Sequence, residues 1–229
     1  MLGVHARLPA TLPIAGAARS SGWLAGRWVV TLVTLAAVLL TPESAGARTY
    51  PKIFGSVIEL PSKNLAKFPK WGDMLGRWKN GAPCDSGTCT DKGWDSFLAE
   101  LKTEDRPTQL KEVNKAMNAH RYILDQQNWG TADYWAAPFQ FLKKNGDCED
   151  FAISKYFALK ALGVPIEDMR VVAVQDLNLK LGHAVLVVYE GSEAKLLDNQ
   201  IKTVVPANSV RHYQPVYSIN EDGWWLHRR

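Results

Sequence analysis

Cys148 has the most chemistry in its surroundings, the segment Lys144-Asn-Gly-Asp-Cys-Glu-Asp-Phe151. Gly146 permits a tight turn and Asp147 is a good N-cap, so the spacing predicts a helix that begins at Cys148. A thiol in a first helical turn meets the positive end of the helix dipole and free N–H groups, which favour a thiolate and can hold an oxyanion. The same pattern also serves as an ordinary capped helix start with a buried cysteine. Two later residues weigh against that plainer use. His183 stands at the start of the apolar strand Leu181-Gly-His-Ala-Val-Leu-Val-Val-Tyr189, and Asp198 stands in Leu196-Leu-Asp-Asn-Gln200 at the end of the next. A short hairpin, Glu190–Ala194, sets both at the same end of two antiparallel neighbours. Asp198 can then hold one nitrogen of the His183 imidazole while the other faces Cys148, an arrangement of nucleophile, base and orienter.

Asp147, Glu149 and Asp150 crowd the thiol with negative charge. That raises a thiol pKa and opposes the helix dipole. Acids in a first turn do stabilise a helix, but three in four positions exceed what capping needs. A hard cation held by these oxygens would cancel the charge, and calcium suits a carboxylate cluster outside the cytoplasm. The spacing is not that of an EF-hand loop.

The chain has three cysteines. Cys84 and Cys89 lie in Cys-Asp-Ser-Gly-Thr-Cys, a turn short enough for its ends to meet. In an exported protein a local disulfide is the expectation. A metal site is the alternative, although no His or further Cys stands nearby. The bridge leaves Cys148 unpaired, a liability outside the cytoplasm unless the thiol is buried or used. Export itself is read from residues 1–47. Arg7, Arg19 and Arg27 precede the unbroken apolar run Trp28–Leu40, which is followed by Ala45-Gly46-Ala47. A basic region, an apolar region and an A-x-A site read as a secretory signal cut after Ala47. A membrane anchor is the alternative, but the run falls short of the roughly 20 residues that a spanning helix needs.

The elements that must position these residues follow from the rest of the pattern. Residues 48–229 show no repeat, low-complexity tract or Gly/Ser linker and read as one domain. The stretch Tyr50–Gly93 is rich in Lys, Pro and Gly, with short helical signals around Trp71–Trp78. From Thr108 to Asp125, Leu110, Val113, Met117, Arg121 and Leu124 recur at three- and four-residue steps, which predicts an amphipathic helix. The Cys148 helix runs to about Leu162, with Ala152, Tyr156 and Leu159 on one face, and Gly163 and Pro165 stop it. Strands are expected at Arg170–Gln175, Ala184–Tyr189, Lys195–Leu197 and Trp224–Leu226. Helices first and strands afterwards predict an α+β fold with an antiparallel sheet. Of 229 residues, 46% are hydrophobic and 22% charged, which excludes a disordered or collagen-like chain. The net charge of +4 falls to +2 without residues 1–47, so nothing points to nucleic acid or an anionic membrane.

With Gly146-Asp-Cys-Glu-Asp150, Gly182-His-Ala184 and Leu197-Asp-Asn199 in that order, the chain resembles the bacterial transglutaminase-like cysteine proteinases, and within them the LapG-type periplasmic proteases. The resemblance also takes in Asn128-Trp-Gly130, Asp133-Tyr-Trp135, Pro138, Lys155-Tyr-Phe-Ala-Leu159 and Pro215-Val-Tyr-Ser-Ile-Asn220, and spans about Phe54 to Leu226. It implies a papain-like, transglutaminase-like fold whose nucleophile helix packs on an antiparallel sheet. It implies Cys148 as nucleophile, His183 as base, Asp198 as orienting acid, and calcium held by Asp147, Glu149 and Asp150, with Asn128 as a further ligand. Enzymes of this type cut a large secreted adhesin near its N-terminus at a paired-alanine site, and an inner-membrane receptor for cyclic di-GMP sequesters them. The Cys84–Cys89 segment has no counterpart in the family pattern. The same triad also serves a transglutaminase-type acyl transferase, and the same acids a calcium-stabilised binding module without catalysis.

Overall fold

The computed structural model describes residues 49–80, 83–84, 87–88 and 92–229. The expected signal segment 1–47 and the expected Cys84–Cys89 bridge lie outside the described residues. The first half of the chain is mostly helical: β1 (Ile58–Ser62), α1 (Pro69–Lys79), β2 (Pro83–Cys84), β3 (Gly87–Thr88), α2 (Lys92–Leu101), α3 (Arg106–Asn118), α4 (Asp125–Asn128), α5 (Pro138–Lys144) and α6 (Cys148–Ala161). The second half is sheet: β4 (Met169–Asp176), β5 (Leu181–Glu190), β6 (Glu193–Leu197), β7 (Val205–Pro206), β8 (Tyr213–Ile219) and β9 (Trp224–Arg228).

Helix starts follow local chemistry. Pro69 and Pro138 open α1 and α5 at positions where a missing N–H costs nothing. Before α3 the Asp105 carboxylate accepts from the Thr108 amide at 2.8 Å. Helix α6 starts at Cys148, as its capping residues require, and ends where Gly163 takes a left-handed φ of 85°. That turn lets the Val164 N–H reach the Leu159 carbonyl at 3.0 Å. Every residue of α6 from Asp150 to Leu159 is buried, so it is a central helix and not a surface one with a single apolar stripe.

Seven of the nine strands form one sheet in the order β1-β9-β8-β4-β5-β6-β7, with every pairing antiparallel, and β2 pairs only with β3. Alternation splits their side chains between two layers. Val171, Leu186, Val188, Leu197 and Ile219 pack with Tyr156 and Leu159 of α6, and Trp71 and Met74 of α1 join the same core. Val172, Val174, Val185, Val187 and Leu196 face the other way, onto Ile53, Phe54 and Tyr213. The β5–β6 hairpin turns tightly, Glu190 pairing with Glu193 across Gly191 at φ 59°. This is the α+β, papain-like arrangement expected, with the cysteine helix against an antiparallel sheet.

Two expectations are corrected. The helix predicted over Thr108–Asp125 ends at Asn118, and Asp125 opens the separate four-residue α4. Between them Tyr122 forms a parallel bridge with Gly146, and the Ile123 N–H donates to the Gly146 carbonyl at 2.8 Å. Pairing with the turn before Cys148 outcompetes helical continuation, and Leu124 is left exposed. The order of helices and then strands also fails at the start. β1 arises from the Lys- and Pro-rich stretch and pairs with β9, Ile58 opposite Arg228. A buried clasp closes that edge: Arg170 Nη1 reaches Glu59 Oε2 at 2.9 Å, and the guanidinium lies 3.7 Å from the centre of the Trp225 ring.

Candidate active site

The β5–β6 hairpin brings His183 and Asp198 together, His183 Nε2 lying 2.9 Å from Asp198 Oδ1 with both side chains buried. Burial works against ionising Asp198, but hydrogen bonds from His183, the Gln200 amide and Tyr213 outweigh it and hold the carboxyl below its ordinary range. The Gln200 N–H reaches Oδ1 at 2.9 Å, and the Tyr213 hydroxyl donates to Oδ2 at 2.7 Å. Asn118, at the end of α3, donates to the Asp198 backbone carbonyl at 2.7 Å. The carboxylate is therefore fixed from three sides, which defines the orientation of the imidazole bound to it.

Cys148 lies in the first turn of α6 and is half-buried. The backbone N–H of Ala184, the residue after His183, lies near enough to the sulfur to favour the thiolate slightly. Burial acts more strongly in the other direction, and the charges of Glu149 and Asp147 add to it, so the thiol is pushed up. In that state Sγ donates to Glu149 Oε2 at 3.2 Å. Helix dipole and neighbouring acids thus pull the sulfur in opposite directions, as its sequence context predicted.

The acids form a cluster larger than the three read from sequence. Ligand oxygens of Asp125, Asp147 and Asp150 lie within 4.8 Å of one another, and so do those of Asp125, Asp133 and Glu149. Burial first, then mutual repulsion, raises Glu149 to about 9; Asp147 and Asp150 are also raised. Burial raises Asp125 to about 6. Backbone amides hold part of the set in place: Ala136 N–H to Asp150 Oδ1 at 2.7 Å, Asp125 N–H to Asp147 Oδ2 at 3.3 Å, and Tyr134 N–H to Asp125 Oδ2. The second oxygens of Asp125 and Asp147 are buried with no protein partner. Buried carboxylates with orphaned oxygens make a donor set that fits a hard cation. Asn128 sits on α4, its side-chain N–H donating to the Asn145 carbonyl at 3.2 Å. Asp125 and Tyr213 were not singled out by sequence, and Asp133 only as part of the Asp133-Tyr-Trp135 fragment with no role, because only the fold brings them into the cluster and onto Asp198.

The turn before Cys148 has no room for a side chain at Gly146. A Cβ there would sit 2.1 Å from Asp150 Oδ2. The aromatic segment between α4 and α5 is packed, with Trp129 stacked on Tyr134 at 4.4 Å and Trp135 edge-on to the buried Trp71. Among the described residues no helix is long and apolar enough to cross a membrane.

Residues 84–227 match the family model for bacterial transglutaminase-like cysteine proteinases, BTLCP. Among solved structures, calcium-bound LapG of Legionella pneumophila is 37% identical with a TM-score of 0.55, over 58% of this chain and 76% of that one. EGTA-treated LapG from the same organism is 31% identical with a TM-score of 0.55, over 75% of this chain and 89% of that one. No curated protein sequence matches. The family match covers more than half of the chain, including the cysteine-bearing helix and the sheet against it, and this protein belongs to the bacterial transglutaminase-like cysteine proteinases.

Proposed function

We propose that this chain is a calcium-dependent, exported cysteine endopeptidase with Cys148 as nucleophile, His183 as base and Asp198 as orienting acid. One juxtaposition carries the reading. The 2.9 Å His183–Asp198 hydrogen bond lies at the end of the β5–β6 hairpin, and the adjacent Ala184 N–H lies near the Cys148 sulfur. His183 takes the Sγ proton, and Asp198 holds the imidazolium that results. The thiolate attacks a peptide carbonyl, and the Cys148 N–H at the start of α6 donates to the tetrahedral oxyanion. Imidazolium protonates the leaving amine, and water, deprotonated by His183, then hydrolyses the thioester.

Asp125, Asp147, Glu149 and Asp150 would hold calcium, with Asn128 as a further ligand. Bound calcium supplies positive charge beside the thiol, offsetting the acids that otherwise keep it protonated. The orphaned Asp125 and Asp147 oxygens support this, as do the calcium-bound and EGTA-treated forms of the Legionella relative. On this reading residues 1–47 are a signal removed after Ala47 and the enzyme works in the periplasm, where residues 48–229 form a single protease domain. Its substrate is a large secreted adhesin, cut near its N-terminus and so released from the cell surface. Its regulatory partner is an inner-membrane receptor for cyclic di-GMP.

The test is incubation of wild type and Cys148→Ala with the host's large secreted adhesins, with calcium or EGTA. Cleavage by the calcium-loaded wild type alone is expected. Incorporation of a labelled amine into a glutamine peptide without any cleavage would make the chain an acyl transferase instead. A Cys148 that iodoacetamide alkylates no faster than a free thiol would reduce it to a binding module.

A further inference from the structure

A cavity of about 590 Å³ is lined by Lys52, Phe54, Ser56, Val210, Arg211 and Arg229. Its apolar walls, Phe54 and Val210, belong to the layer on the side of the sheet turned away from α6. Three of the lining side chains are cations, and no Asp or Glu side chain lines the cavity. Among the described residues no carboxylate pairs with Lys52, Arg211 or Arg229. Ser56 does reach Glu59 Oε1 at 3.1 Å, but Glu59 is already taken by Arg170 on one oxygen and faces His227 on the other.

Two of these cations are held in place by uncharged groups. Arg229 Nη2 donates to the Phe54 carbonyl at 2.9 Å and to the Tyr213 carbonyl at 2.8 Å, which leaves Nε and Nη1 without a partner among the described residues. Lys52 Nζ donates to the Val57 carbonyl, and Asn208 Nδ2 donates to the Lys52 carbonyl at 2.9 Å. The Phe54 carbonyl is presented by a turn in which Phe54 and Gly55 take successive left-handed φ values of 49° and 71°. That conformation is costly for a phenylalanine, whose ring is buried 5.8 Å from that of Tyr213. A Cβ at Gly55 would lie 3.9 Å from Arg229 Nε, so the missing side chain leaves that side of the guanidinium open. Three like charges around one cavity repel each other, and a bound anion relieves the repulsion.

We propose that this cavity is a binding site for a small organic phosphate, with the phosphate on Arg229, Arg211 and Lys52 and the organic body against Phe54 and Val210. A guanidinium presents paired N–H donors that match two oxygens of a phosphate, and Arg229 is already fixed for that contact. A phosphate monoester carries close to two negative charges and answers more than one of the three cations, whereas a monocarboxylate answers only one. The volume falls within the roughly 300–1,000 Å³ of small-ligand sites and exceeds what bare phosphate needs. The site stands apart from Cys148 and does not depend on the protease reading. Tyr213 borders both, its carbonyl accepting from Arg229 and its hydroxyl donating to Asp198.

The test is calorimetric titration of the full chain in low-salt buffer, with phenyl phosphate, inorganic phosphate and benzoate as probes. Phenyl phosphate is expected to bind about tenfold more tightly than benzoate, the scale of one further charge-assisted hydrogen bond, and more tightly than inorganic phosphate. Added salt should weaken it. Arg229→Gln and Arg211→Gln should each weaken phenyl phosphate about tenfold. Lys111→Gln, which removes an exposed charge from α3, should leave the affinity unchanged. If loss of its two carbonyl bonds makes Arg229→Gln unfold, Arg211→Gln carries the test, its side chain being exposed. Equal affinity for phenyl phosphate and benzoate would overturn the proposal, and so would a Lys111→Gln effect as large as that of Arg211→Gln. Sedimentation with phosphatidic acid vesicles, without binding of either soluble phosphate, would assign these cations to a membrane surface and overturn it as well.

Discussion

The Tyr213 hydroxyl donates to Asp198 Oδ2 at 2.7 Å, on the carboxylate oxygen that His183 does not use. The two oxygens are thus divided between a tyrosine from β8 and a histidine from β5, and the carboxylate cannot rotate without breaking both bonds. Tyr213 is a positioning residue, acting on the reaction only through Asp198.

Tyr213→Phe removes that hydroxyl from a buried charged acceptor, a loss of about 1.5–3 kcal/mol for hydrogen bonds of this kind. We expect kcat to fall about tenfold or more with KM little changed, 1.4 kcal/mol being a factor of ten. With one donor gone, the Asp198 pKa rises, so the acidic limb of the pH–rate profile moves to higher pH. A profile superimposable on wild type would remove Tyr213 from the mechanism.

Gly146→Ala places a methyl group 2.1 Å from Asp150 Oδ2, where the carboxylate is already committed to the Ala136 and Asp147 amides. Forced repacking of this size costs about 1–3 kcal/mol. Calorimetric titration should show weakened calcium binding, and thermal unfolding a lowered melting temperature. An unchanged calcium affinity would separate Asp150 from the metal.

Proton linkage in the acidic cluster has a definite sign. Glu149 and Asp125, raised to about 9 and about 6, keep protons in the folded protein that they release on unfolding, where carboxyl groups titrate near about 4. Their contribution to stability is full below that unfolded value and is lost as pH rises through 6 and then 9. Protein in EGTA should therefore lose melting temperature steadily between pH 5 and pH 9, and calcium should flatten the slope. A melting temperature independent of pH in EGTA would contradict the cluster's burial.

Lys155 sits on α6 with no exposed surface, and its ammonium has no hydrogen-bond partner. Burial lowers it to about 7, with the Asp198 charge acting in the opposite direction. Between that value and about 10.4 the unfolded chain holds a proton that the folded one has lost, so the cost of this residue is full at low pH and fades as pH rises. Lys155→Met should raise stability by on the order of 1 kcal/mol at pH 6.5, and by less at pH 10. Destabilisation at both values, measured by denaturant titration, would show a favourable role for the ammonium.

Elements with their own local signals were readable in advance. Asp147 and Gly163 bracket α6, and the β-branched runs mark β4 to β6, so the helix start at Cys148 and the hairpin that joins His183 to Asp198 were readable from chain order. Long-range pairing was not readable. Arg121 and Leu124 continue a helical period, yet the Tyr122–Gly146 bridge takes that segment out of the helix. Pro61 and Pro215 mask β1 and β8, which form because β9 lies between them. Asp125 reads locally as a helix end and Tyr213 as an ordinary aromatic, and each acquires its role from a partner 15 or more positions away.

The pairing of β1 with β9 also orders events in time. The site-bearing elements, α6 with β4, β5 and β6, are contiguous in sequence and can associate as soon as they exist. β1 is synthesised early but has no partner until residues 224–228 emerge. Joining segments so far apart along the chain is slow, because the entropy of closing the loop is spent before any contact repays it. During that interval β8 keeps a bare edge and Arg170 lacks the Glu59 carboxylate that closes over it. Assembly of the catalytic groups draws on contacts between neighbouring elements, whereas sealing of the sheet requires the longest loop closure of the fold and leaves an open strand edge until it is made.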